Sequence, residues 1–200
     1  FVANMIGSHD ARNLDQGANA ARVAYLNAIA ATGYATQGID LYDLQRAEGD
    51  IHYHSSAYAI MGARLARHYA NLMHGQSNFL GPRVTGITFH SANRGVSLAV
   101  DWGGPAFVPE VPEIYCDRPF GIYALAPGAG AAAVPVPFIS GRINGGNIVL
   151  TSSVVLTGHQ IGGPWGYAPD ARRGHIARDY NADLQHLIAG QPLRSFLIQL

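Results

Sequence analysis

Apolar residues follow two different spacings along the chain, and the change falls near Gly81-Pro82. Upstream, Phe1 to Ile6 is a short apolar run that predicts a strand entering a loop at Gly7. Asn13 and Asp15 are N-cap residue types, and Val23, Leu26 and Ile29 recur at helical spacing until Gly33 stops the pattern. Gln37 to Tyr42 predicts a second strand. After a polar stretch from Asp43 to His54, Ser55 or Ser56 supplies the cap of a second helix. Tyr58, Met61, Leu65, Leu72 and Met73 would give that helix one broad apolar face. Strand, helix, strand, helix with short links is the order of a parallel α/β layer, although two strands are too few for a complete sheet.

Downstream the period shortens to two. Val96, Leu98, Val100 and Trp102 alternate with Ser97, Ala99 and Asp101, which predicts a half-buried strand with Trp102 on its core side. Val84 to His90, Phe120 to Leu125, Val134 to Ile139 and Ile148 to Leu156 predict further strands. Asn144-Gly145-Gly146-Asn147 is a hairpin turn, because Gly and Asn tolerate the positive φ such turns require. Short strands between regular turn signals predict a sandwich. Ala182 to Ile188 predicts a short helix.

Composition narrows the class. Of the 200 residues 48% are hydrophobic and 13% charged, enough apolar material to exclude a disordered chain. Thirteen basic residues, all Arg, balance thirteen acidic ones. That neutrality speaks against a nucleic-acid partner, which needs a basic face to displace counterions, and against a polybasic membrane-surface protein. No apolar run is long enough to span a bilayer, so no membrane insertion is expected. The single Cys116 excludes an internal disulfide and a Cys-rich zinc site.

Polar chemistry is densest in Glu48-Gly49-Asp50-Ile51-His52-Tyr53-His54, between the second strand and the second helix. In open α/β sheets ligands bind beyond the carboxyl ends of strands, where this segment falls. An Asp beside a His fixes the imidazole tautomer and stabilises the imidazolium during proton transfer. The same residues serve equally as a turn Asp and a His at a helix start. His52 and His54 lack a third ligand at metal-binding spacing, so neither metal nor cofactor is expected.

Asp50-Ile51-His52-Tyr53, Ser55-Ser56-Ala57-Tyr58 and Met61-Gly62-Ala63-Arg64-Leu65-Ala66 together resemble the last motif block of the SGNH/GDSL hydrolases. The likeness is greatest to carbohydrate O-acetylesterases of the sialate O-acetylesterase type. Ile39-Asp40-Leu41-Tyr42 before the block fits the same pattern. Gly81-Pro82-Arg83-Val84, Ile148-Val149-Leu150-Thr151, Trp165-Gly166-Tyr167-Ala168 and Gln191-Pro192-Leu193-Arg194-Ser195-Phe196 resemble the β-rich C-terminal region of these esterases. The resemblance implies the C-terminal part of a three-layer flavodoxin-like (SGNH) parallel-sheet domain over residues 1–78, followed by a β-sandwich-like accessory domain over 79–200. It implies that His52 is the catalytic base. The family's Asp stands three residues before its His, where this chain has Gly49; Asp50 is the nearer candidate orienter and Glu48 the next, and a bare Ser-His dyad stays open.

The family's N-terminal blocks, which carry the nucleophilic Ser and oxyanion-hole groups, are not recognisable. The Ser is therefore expected from an upstream segment or companion chain that also completes the α/β sheet. Gly75-Gln76-Ser77-Asn78 matches the family's nucleophile block letter for letter, but it follows a predicted helix instead of a buried strand, and is read as coincidence. The expected function is hydrolysis of O-acetyl esters on a sugar or polysaccharide, with an acetylated carbohydrate as partner. Trp165, between Gly-Pro and Gly, is a candidate to stack on a sugar ring, and Arg172 and Arg173, with Arg178 nearby, to contact an acidic one. The alternative is a non-catalytic carbohydrate-binding or receptor-binding module, for instance on a phage-like particle.

Overall fold

The computed structural model describes residues 2–5, 16–32, 36–44, 53–104, 108–126, 135–164, 177, 182–183, 188–189 and 191–200. It opens with strand β1 (Val2–Met5), helix α1 (Gln16–Thr32), strand β2 (Thr36–Asp40) and helix α2 (Ser55–His74). β1 and β2 pair in parallel, Val2 opposite Thr36 and Met5 opposite Asp40, as strands joined through a helix do. The rest is antiparallel. β3 (Arg83–His90), β4 (Gly95–Asp101), β5 (Val111–Ile114), β8 (Phe138–Asn144) and β9 (Asn147–Ser152) form a five-stranded sheet in the order β3-β4-β9-β8-β5. β6 (Tyr123–Leu125), β7 (Pro135–Val136), β10 (Gln160–Gly163) and β13 (Phe196–Gln199) form a four-stranded one in the order β13-β10-β6-β7. The molecule is thus mixed α/β, dominated by antiparallel sheets.

Both sheets feed one core. Val96 and Leu98 of β4 and Ile148 and Leu150 of β9 meet Ala124 and Ile161 from the four-stranded sheet and Ile122 just before it, with Phe196 packed against them. Trp102 takes the core position its alternation predicts, buried, with its indole N–H donating to the Gly146 carbonyl at 2.8 Å. That carbonyl belongs to the β8–β9 hairpin turn, where Gly145 and Gly146 take φ of 55° and 79° and Asn144 pairs with Asn147. Only residues that tolerate left-handed backbone close so short a loop with the twist of the strands.

The helices pack on different partners. Val23 of α1, with Leu26 beside it, meets Tyr123, Leu125 and Leu197 of the four-stranded sheet. Ala57 of α2, with Ile60, Met61 and Leu65, covers Ile39, Leu41 and Leu44 at and after the end of β2. The broad apolar face expected on α2 is narrower than its sequence suggests. Its fully buried positions are Ala57, Arg64 and His68, whereas Tyr58, Leu72 and Met73 are exposed. Among the described strands the helix packs mainly on the short β2, with Ile188–Ala189 beside it, so one stripe suffices to cover them.

Three other expectations need correction. The cap of α2 is His54, one residue before the predicted Ser55 or Ser56. Phe120 does not begin a strand: Pro119–Gly121 is a 3-10 turn with Phe120 in left-handed backbone (φ 58°), and the strand starts at Tyr123. At the predicted helix of 182–188, the described residues β11 (Ala182–Asp183) and β12 (Ile188–Ala189) pair antiparallel. A seven-residue run is too short to nucleate a helix without tertiary support, and strand pairing wins.

Candidate functional site

The candidate site segment falls in the sequence between β2 and α2. Its sequence-predicted residues, His52, Asp50 and the second acid Glu48, lie outside the described residues, as do Trp165, Arg172, Arg173 and Arg178. The described residues on either side give the frame: β2 and the turn Leu41–Leu44 lead into segment 45–52, and Tyr53 and His54 lead out of it into α2. At the exit, His54 is the N-cap. Its Nδ1 accepts from the Ser56 N–H at 3.4 Å and lies 2.9 Å from the Ser56 hydroxyl, satisfying a helix-end donor that has no partner within the helix. Tyr53 lies edge-on against Tyr58 on the first turn.

At the entrance stands a buried polar cluster. Arg64 reaches from α2 with 4% of its side chain exposed and grips Asp43, itself 1% exposed, with both arms of its guanidinium at 2.7 Å. The same guanidinium donates to the Asp40 carbonyl at 2.8 Å. A bidentate fork of this kind fixes orientation as well as charge. On the other side of β2, the Asp40 Oδ1 accepts from the backbone N–H of Ser195 at 3.1 Å and from its hydroxyl at 2.5 Å. Gln37 donates to Asp40 and to the Ser195 carbonyl, Arg194 donates to the carbonyls of Gln37 and Gly38, and the Tyr42 hydroxyl donates to the Leu193 carbonyl. Burial raises the Asp40 carboxyl above the usual range, against the lowering pull of the Ser195 hydroxyl and of Arg194.

This cluster binds chain to chain, and its Gln37, Arg194 and Ser195 also border an open pocket of about 360 Å³ together with Leu26, Asn27 and Phe196. Ser195 is buried, and its hydroxyl sits between the Asp40 carboxylate and the Pro164 carbonyl without an imidazole, so it lacks the base a nucleophile needs. The cavity bordered by Asp40, Arg64, Arg67, Gln191 and Pro192 is about 10 Å³, room for no more than a water molecule. One turn beyond Arg64, His68 is buried with neither ring nitrogen hydrogen-bonded; burial, helped by Arg194, lowers its pKa.

Ser77 belongs to the end of α2. Gly75 caps the helix, Asn71 and Asn78 exchange two 2.8 Å hydrogen bonds across the turn, and Ser77 is exposed beside them. Twenty residues of helix separate this turn from the His54 cap, on the order of 30 Å at 1.5 Å per residue. The sequence motif here serves as a helix terminus.

The residues that hold the frame went unassigned in the sequence, although Arg64, Arg194 and Ser195 stand inside the motif blocks quoted above. One signal was present for Arg64. It lies seven residues after Ala57 and four before His68, on the stripe that faces the core, where a charged group requires a partner.

No protein-family model and no curated protein sequence matches the chain. Among solved structures it is similar to a carbohydrate acetylesterase from Xanthomonas citri, at 15% identity and a TM-score of 0.55. The likeness covers 100% of this chain and 41% of that one, so the chain spans well under half the length of its structural neighbour. The chain therefore shares the fold of part of that structure.

Proposed function

We propose that this chain forms the base-bearing part of a carbohydrate O-acetylesterase of the SGNH/GDSL type. The observation that carries the reading is the fold likeness to a carbohydrate acetylesterase along the whole chain. It is supported by the position of the Asp50-Ile51-His52 block, between a parallel strand and the helix that follows it. In this reading 1–78 is the C-terminal part of a three-layer flavodoxin-like domain and 79–200 its β-rich accessory. His52 takes the proton from a Ser hydroxyl as that oxygen attacks the acetyl carbonyl, then returns it to the departing sugar oxygen. Asp50, or Glu48 behind it, orients the imidazole. The Ser comes from an upstream segment or companion chain docked on the β1–β2 layer. Trp165, Arg172 and Arg173 contact the sugar. No cofactor takes part.

The test is acetyl release from an acetylated sugar. This chain alone should release none above the rate of free imidazole. In the assembly with the Ser-bearing segment, His52→Ala should lower the rate by ~10² or more, the size of a general-base contribution. Unchanged release in the variant would refute the base assignment and leave glycan binding as the better account.

A further inference from the structure

We infer that the pocket where α1, β2, β3 and β13 meet binds a carboxylate carried on a small hydroxylated body, held between Arg83 and Arg194. The inference does not rest on the ester cleavage proposed above, to which none of the lining residues is assigned. The pocket is open and about 360 Å³, within the size range of small-molecule sites. Helix α1 forms one wall through Leu26 and Asn27, and β13 forms another. β13 is the last strand of its sheet and β3 the last strand of the other, so the pocket opens where two sheet edges meet.

Two like charges stand together here. The Arg194 backbone N–H donates to the Pro82 carbonyl, one residue before Arg83, and the two arginines are the charged side chains of the lining. Arg194 spends Nη2 on the Gln37 and Gly38 carbonyls, and its Nε and Nη1 have no partner among the described residues. Arg83 gives Nε to Asp101 at 3.2 Å and keeps 66% of its side chain exposed, which leaves its terminal nitrogens for a ligand. Burial lowers the Arg194 pKa and the neighbouring Arg83 lowers it further, against the raising pull of Asp40. An anion between the guanidiniums would relieve that repulsion. Asp101 and the buried Asp40 already offset part of the positive charge, so a single negative charge fits better than the two of a phosphate. A planar carboxylate also matches the guanidinium fork. Gln37 selects the body behind it. Its Nε2 donates to the Asp40 carboxylate and the Ser195 carbonyl, both pure acceptors, so its Oε1 is turned away from them, without a partner among the described residues. That oxygen can accept from a ligand hydroxyl, and Leu26, Val84 and Phe196 offer apolar surface to ring carbons. Carboxylate, hydroxyls and a C–H face together describe a hexuronate.

Calorimetric titration of this chain at low ionic strength tests the site, with glucuronate, glucose and inorganic phosphate as probes. Glucuronate should bind saturably and about tenfold or more tighter than either of the others. In an NMR titration the backbone amides of Gln37, Val84 and 195–198 should shift with the same midpoint. Arg83→Gln changes an exposed side chain and should weaken glucuronate about tenfold or more, the size of one lost charge-assisted hydrogen bond. Arg94→Gln, an exposed arginine in the β3–β4 turn, should leave the affinity unchanged. Arg194→Lys keeps the charge but loses the fork, and should also weaken binding. If that variant does not fold, Arg83→Gln decides alone. Glucuronate that fails to bind saturably, or binds Arg83→Gln as tightly as the parent, would overturn the inference. Phosphate bound as tightly as glucuronate would overturn it too, by showing a site for anions in general.

Discussion

His68 shows what a single buried side chain costs when it finds no partner. It sits on the core-facing stripe of α2, and neither ring nitrogen is hydrogen-bonded. Burial lowers its pKa, so the folded protein holds the ring neutral where an unfolded chain would begin to protonate it, near pH 6.5. The unfolded state thus binds more protons below that value. Stability should be full above about pH 6.5 and fall as the pH drops toward the lowered folded value. His68→Leu should remove that fall and, by relieving an unsatisfied buried polar group, raise stability at neutral pH by about 1 kcal/mol. Urea midpoints of parent and variant at pH 5 and 7.5 check this: parallel midpoints would show that folding does not lower the proton affinity of His68. Arg64, four residues earlier, is the contrasting case, a charge on the same stripe whose two terminal nitrogens are engaged while its Nε has no hydrogen-bond partner.

Legibility at the level of elements follows how far away each element's partner lies. Val96, Leu98 and Trp102 announce their core face through local alternation, and the Asn144–Asn147 turn through its own φ requirements, so both could be read from the chain. β5, β10 and β13 are four-residue strands with weak patterns, and they exist because neighbours far along the chain offer open edges. The tie from Asp40 to Ser195 spans 155 residues, and nothing in either local pattern pairs them. The same C-terminal segment explains Gly81-Pro82. That step marks the change in spacing, and it is also where 191–194 crosses: Arg194 N–H donates to the Pro82 carbonyl at 2.7 Å. A Cβ on Gly81 would stand 2.7 Å from the Pro192 carbonyl oxygen, at a φ of 113° that side chains rarely adopt. Gly81→Ala should therefore cost about 3 kcal/mol. A urea midpoint within error of the parent would mean that the crossing segment gives way freely.

On the scale of the whole molecule, the two halves are not equally finished. The antiparallel sheets share a closed core, whereas the described parallel layer is a single pair of strands, β1 and β2. Parallel sheets are ordinarily covered on both faces, and two strands alone are marginal in water. On α2, above that layer, Tyr58, Tyr69, Leu72 and Met73 are 52%, 48%, 47% and 73% exposed. The proposed function requires a further segment, and this is the layer it would join, bringing its Ser to the carboxyl end of β2. Hydrogen exchange tests the consequence. In this chain alone, backbone amides of β1 and β2 should exchange orders of magnitude faster than those of β4 and β9, which lie inside the five-stranded sheet. Adding the Ser-bearing segment should slow β1 and β2 selectively and leave β4 and β9 unchanged. Equal protection of all four strands in the lone chain would show that the parallel pair needs no completion. The Ser would then have to reach His52 by some route other than an extended sheet.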